Sequence, residues 1–198
     1  MFEKAAGCII ARSIQNGQIK ASESEEYIYG LNLFLTSALN IVSMLVIGVL
    51  MRMPVQCIAF CCIFRGLRKY TGGYHADSPY TCYVMTCITD IAVLLFLRYV
   101  PYFRWGMSAA VVLSVIGLMI LSPIDAVTKL LDEDERRVFG RKARIFTVCV
   151  AGFYVAAAVI GWDPAANLLG ISLCMVMIFA IPGVIKLKAY KRKQQHVV

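Results

Sequence analysis

Residues 31–51 read LNLFLTSALNIVSMLVIGVLM, 21 positions without a charge. As an α-helix that stretch rises about 31 Å, the thickness of a bilayer's hydrocarbon core. With no water to bond to there, its backbone polar groups must pair within the segment, so it reads as a transmembrane helix. The same reading holds for residues 105–124, 145–162 and 165–185, which have 20, 18 and 21 uncharged positions. Residues 79–97 form another such run, interrupted only by Asp90. Residues 53–64, MPVQCIAFCCIF, number only twelve and would rise about 18 Å.

Basic residues decide whether that short stretch crosses, because cytoplasmic flanks collect lysine and arginine. If it does, only Arg52, Arg98 and Arg104 lie outside, and the remaining 17 of 20 basic residues lie inside. Without it, the six basic residues within 129–144 and the five within 186–193 would be external. The expectation is an all-α integral membrane protein with six transmembrane segments. The second is short, extends towards Arg65, and sits in a thinned or protein-lined part of the membrane. Both termini are then cytoplasmic.

Residues 1–198 read as a single polytopic membrane domain, with an amphipathic cytoplasmic segment at 1–30, a bundle at 31–185 and a basic cytoplasmic tail at 186–198. Phe2, Ala6, Ile9, Ile10 and Ile14 recur at helical spacing around Lys4 and Arg12, as in a helix lying on the inner surface. Asn16-Gly17 ends it. No sustained apolar core with a small-residue cleavage site follows, so the segment is not read as a cleavable signal peptide. Ser22 to Glu25 reads as a capping box that opens the helix of the first span.

Composition agrees. Of 198 residues 60% are hydrophobic and 16% charged, whereas a soluble domain holds about 45–50% apolar residues. The net charge of +8 would suggest nucleic acid in a soluble protein, but basic loops are expected beside membrane spans, so no nucleic-acid partner is read from it. Eight cysteines are present, six of them (Cys57, Cys61, Cys62, Cys87, Cys149, Cys174) within apolar runs. That is not a secreted disulfide framework.

Chemistry concentrates in residues 65–82, RGLRKYTGGYHADSPYTC, which hold His75, one of two histidines. Seven residues on is Cys82, flanked by polar residues. Ser78-Pro79 resembles an N-cap and first helical residue, which puts Cys82 in the first turn of the next span. Free amides and the positive end of the helix dipole favour an anion there, and thiolate is the reactive form of cysteine. Thr71-Gly72-Gly73 gives the chain a flexible turn that lets the imidazole fold back to take the thiol proton. The plain alternative makes His75 a solvated interfacial residue and Cys82 a packing residue. Another is a zinc site using Cys57 and Cys61 with His75 and Cys82, although the neighbours of Cys57 and Cys61 suit cysteine as a compact hydrophobe.

Other residues carry weaker signals. Arg68 and Lys69 either anchor the inner interface or, in the case of Arg68, hold a substrate carboxylate or position the loop. Amides around Gly73 or at the start of the third span can supply an oxyanion site. Asp77 either caps or orients His75. Asp90 is the sole acid inside a span and is read as a structural hydrogen-bonding group, with Asn40 as partner. In residues 132–144, DEDERRVFGRKAR, four acids precede five basic residues. Pairs such as Asp132 with Arg136 and Glu133 with Arg137 suit an exposed helix, while Arg141, Lys142 and Arg144 can alternatively grip an acidic part of a peptide. The tail at 186–193 suits anionic lipid headgroups.

The Arg68…Gly73-Tyr74-His75…Cys82 pattern, the six apolar segments, the basic loops and the length together resemble the accessory gene regulator B family, bacterial membrane cysteine endopeptidases that process quorum-sensing propeptides. The resemblance covers most of the chain. It implies that Cys82 attacks a carbonyl of a small propeptide with His75 as general base, and that Arg68 is functional. In the family the acyl-enzyme is a thioester, which a cysteine or serine of the peptide takes over to release a thiolactone or lactone. It also implies a multi-pass protein of the bacterial cytoplasmic membrane, without metal or organic cofactor. A homodimer is expected of a membrane peptidase this small. The non-enzyme alternative is a small transporter or peptide export channel lined by Asp90 and the short second segment, which leaves the proximity of His75 and Cys82 unexplained.

Overall fold

A computed structural model of the chain describes residues 3–15, 23–73, 79–124 and 132–195. These form seven helices: α1 (Glu3–Gln15), α2 (Ser24–Leu50), α3 (Pro54–Thr71), α4 (Pro79–Tyr99), α5 (Arg104–Leu121), α6 (Glu133–Ile160) and α7 (Asp163–Gln195). The described residues contain no strand, only one bridge between Gly72 and Ile124.

Five of these helices (α2, α4, α5, α6 and α7) are long and apolar enough to cross a membrane. Their outward faces confirm which solvent they meet. Val46, Val49 and Leu50 of α2, Leu113 and Ile120 of α5, and Phe153, Val155 and Val159 of α6 are all exposed. A soluble monomer does not carry an apolar surface so continuous. The protein is therefore a multi-pass integral membrane protein.

The short segment behaves differently from its apparent length. Rather than the twelve residues of 53–64, α3 has 18 and rises about 27 Å. It continues through Arg65, Arg68 and Lys69, whose charges broke the apolar run. Cys57, Phe60, Cys61, Phe64, Leu67 and Thr71 are buried. That is one continuous stripe at spacings of three and four. Neighbours α2, α4, α6 and α7 pack against it, so a helix too polar to face lipid on all sides is largely lined by protein. α7 is the second hub, packed against α3, α4, α5 and α6.

Contacts at the two ends fix the directions of α2 to α7, which alternate. At one end, Arg98 at the finish of α4 donates to Met51 O beyond α2 at 3.3 Å. Arg104 at the start of α5 donates to Ala158 O near the finish of α6, and the Tyr154 hydroxyl bonds with those of Tyr102 (3.2 Å) and Ser108 (2.9 Å). At the opposite end, Ile124 N–H after α5 donates to Thr71 O at the end of α3, at 2.9 Å.

Two expectations change. α2 starts at Ser24 with Glu23 as N-cap, and no side-chain cap bond forms there; Ser22 of the expected capping box lies outside the described residues. The capping box is instead Asp132 with Glu135, where the Asp132 N–H donates to Glu135 Oε2 at 3.4 Å and opens α6. Near the amino terminus, α1 packs on α2 and buries Ala6 and Ile10, whereas Ile9 is exposed. The apolar positions therefore divide between a protein face and an outer face, because α2 supplies a partner that the sequence pattern did not show. Phe2 lies outside the described residues.

Candidate active site

The site is built where α3 ends and α4 begins. α4 starts at Pro79, so Cys82 lies in its first turn, as the proline suggested; Ser78, the expected N-cap, lies outside the described residues. The Thr86 hydroxyl donates to Cys82 O at 2.9 Å, and that of Thr89 to Met85 O at 2.7 Å. Both hydroxyls thereby spend their protons along the helix. Phe64 and Arg68 of α3, Cys82, Met85, Thr86 and Thr89 of α4, and Phe179 of α7 surround one small cavity. Its volume of about 10 Å³ gives room for roughly one water.

Arg68 is the charged wall of that cavity. Its guanidinium carbon lies 4.7 Å from the centroid of the Phe179 ring and 5.7 Å from that of Phe64. The two rings meet edge to face at 5.7 Å. Cation–π attraction to such rings holds a guanidinium at about 0.5–2 kcal/mol. Cys82, half-buried, lies within electrostatic reach of the guanidinium. A fixed cation beside a cysteine at a helix start can stabilise the oxyanion of a carbonyl that the sulfur attacks.

The glycine turn is fixed in place rather than free. Gly72 has φ 75° and ψ −155°, a region open essentially to glycine alone. A Cβ there would overlap Ile124 O. Gly73, at φ 136°, is buried, and a Cβ would stand 3.2 Å from Phe179 O. The chain thus leaves α3 clamped between the segment after α5 and the α7 backbone. His75 and Asp77 lie outside the described residues.

The other candidates separate. Asp90 is 3% exposed and accepts a 3.4 Å bond from Cys61 Sγ, so its partner is a thiol of α3 and not Asn40. The Asn40 amide donates to Thr36 O at 3.1 Å. Cys57 Sγ donates to Met44 O at 3.4 Å. The two cysteines of the zinc alternative are thus engaged in bonds between helices. Lys142 stands over the Tyr70 ring at 5.9 Å, while Arg141 and Arg144 line a separate cavity between α5 and α6. Phe64, Phe179, Thr86 and Thr89 were not anticipated. Phe64 is detectable as the residue one turn before Arg68, whereas nothing marks Phe179 within an apolar span.

Fold and site together define a polytopic helical membrane protein with a cysteine and a clamped arginine facing one cavity at the end of the bundle. The chain belongs to the accessory gene regulator B family (AgrB), whose sequence profile matches residues 8–185. It is similar to AgrB-like protein 2 of Clostridium perfringens (strain 13 / Type A), with 22% identity and 79% of each chain covered. No solved structure matches the chain.

Proposed function

We propose that the protein is a membrane cysteine endopeptidase of the bacterial cytoplasmic membrane that cleaves a small quorum-sensing propeptide. The observation that carries this reading is Cys82, in the first turn of α4, sharing its cavity with Arg68. Family membership supports a role in accessory gene regulator signalling. In the proposed reaction His75 takes the Cys82 thiol proton, and the sulfur attacks a peptide carbonyl. The carbon–nitrogen bond then breaks, the proton passes to the leaving amine, and a thioester forms. Arg68 stabilises the sulfur anion or the tetrahedral oxyanion, amides near Gly73 or at the start of α4 assist, and Asp77 orients the imidazole. A cysteine or serine of the peptide then displaces Cys82 to close a thiolactone or lactone, returning the proton through His75.

The proposed topology has six crossings with both termini in the cytoplasm, α3 being the second, and with α1 at the inner surface. The alternating helix directions and the length of α3 support it.

The test is cleavage in reconstituted vesicles of a propeptide carrying an amphipathic helix, a central cysteine or serine and an acidic tail. Cys82→Ala and His75→Ala should each lower the rate about 10³-fold or more while leaving membrane insertion intact. A hydroxylamine-sensitive peptide adduct should form on Cys82. Wild-type cleavage by Cys82→Ala would end the enzymatic account.

A further inference from the structure

A larger cavity, of about 870 Å³, opens between the end of α5 and the start of α6. Arg137, Arg141 and Arg144 follow one another on α6 at spacings of four and three and line it together with Arg136, and Glu133 is the one acid on its described wall. Apart from Ser122, its remaining wall is apolar. Ile120 and Ile145 line it too and are 76% and 54% exposed. Arg144 is the last charge of α6, and Ile145 opens its apolar run. The cavity therefore straddles the level at which α6 passes from water into hydrocarbon. Ser122 adds a second, independent feature. It lines the same cavity and is 6% exposed, and its Oγ has no hydrogen-bond partner among the described residues. Buried hydroxyls are rarely left so unless a ligand or water completes them.

We propose that this cleft is a binding site for an anionic phospholipid. Arg141 and Arg144 hold the headgroup phosphate in charge-assisted bonds, the Ser122 hydroxyl donates to a phosphate or glycerol-ester oxygen, and an acyl chain lies along Ile120 and Ile145. Basic pockets between transmembrane helices on the cytoplasmic side suit such headgroups. The apolar wall selects lipid over an acidic peptide, which needs cations but gains nothing from isoleucines set at the hydrocarbon boundary. The site stands whether or not Cys82 cleaves a peptide.

Native mass spectrometry of the full chain in detergent, titrated with phosphatidylglycerol, phosphatidylcholine, glycerol phosphate or a glutamate-rich peptide, tests it. Phosphatidylglycerol should bind in preference to phosphatidylcholine, and glycerol phosphate should bind weakly because it lacks the chain. Arg141→Gln with Arg144→Gln should weaken phosphatidylglycerol binding roughly 25-fold, and Ser122→Ala about threefold. Arg12→Gln, on α1, should leave it unchanged. Arg141→Lys with Arg144→Lys keeps the charge and should fall between, which preserves the test should the double glutamine variant misfold. Equal binding by wild type and both double variants overturns the proposal, as does glutamate-rich peptide binding that phosphatidylglycerol fails to displace.

Discussion

Arg68 illustrates what a single side chain owes to its surroundings. A lysine would keep the charge but lose the planar guanidinium that lies against Phe64 and Phe179. On the proposed mechanism, Arg68→Lys should slow propeptide cleavage about 10²-fold with little change in substrate KM, because the cation acts on charge that develops during attack. Phe179→Leu removes one ring and should cost about fivefold through loosened positioning alone. Steady-state kinetics of both variants checks the pair of expectations. An unaltered rate in Arg68→Lys would show that the guanidinium is an interfacial anchor. Cys82 and Arg68 were legible as candidates because polar residues stand out in a chain this apolar. Phe179 was not, since in residues 165–185 every face of the helix is apolar and only packing against α3 selects one.

Among the elements, α3 carries the strongest constraint. Its polar final turns are tolerated because α2, α4, α6 and α7 surround it, and its exit is locked by the bond from Ile124 N–H to Thr71 O. Gly72→Ala should therefore lower stability by about 2 kcal/mol or more, through strain at positive φ together with overlap on Ile124 O. Thermal unfolding in detergent reads the loss, and cleavage should fall with it because the segment leading to His75 would shift. A variant as stable as wild type would show that the clamp is dispensable. Helix starts were partly legible. Pro79 marked the start of α4, whereas Asp132 and Glu135 were counted among helix-face charges although the same spacing encodes a cap. The length of α3 was hidden because a hydropathy run stops at the first charge and a helix does not.

At the scale of the whole molecule, the alternation of α2 to α7 brings Arg52 and Val100 to one end of the bundle. In a cysteine-free background, Arg52→Cys and Val100→Cys should both react with a membrane-impermeant maleimide from outside intact cells, while Lys188→Cys should react only after permeabilisation. Reaction of residues 52 and 100 from opposite sides would mean that α3 does not cross. The count of basic residues points to the same arrangement, and the end-to-end contacts of Arg98 with Met51 and of Arg104 with Ala158 agree with it.

The sequence by itself determined that the chain lives in a membrane, that it is helical, and where its candidate site residues fall along the chain. These follow from run lengths, from charges and from the chemistry of a helix start, all of which are local. Only the tertiary structure decided that Arg68, Cys82 and Phe179 share one cavity, that Asp90 meets Cys61, and that Arg141 and Lys142 face different neighbours. Such pairings depend on which apolar face packs against which. In a lipid-soluble chain hydrophobicity is nearly uniform around each helix, so close packing alone settles the choice.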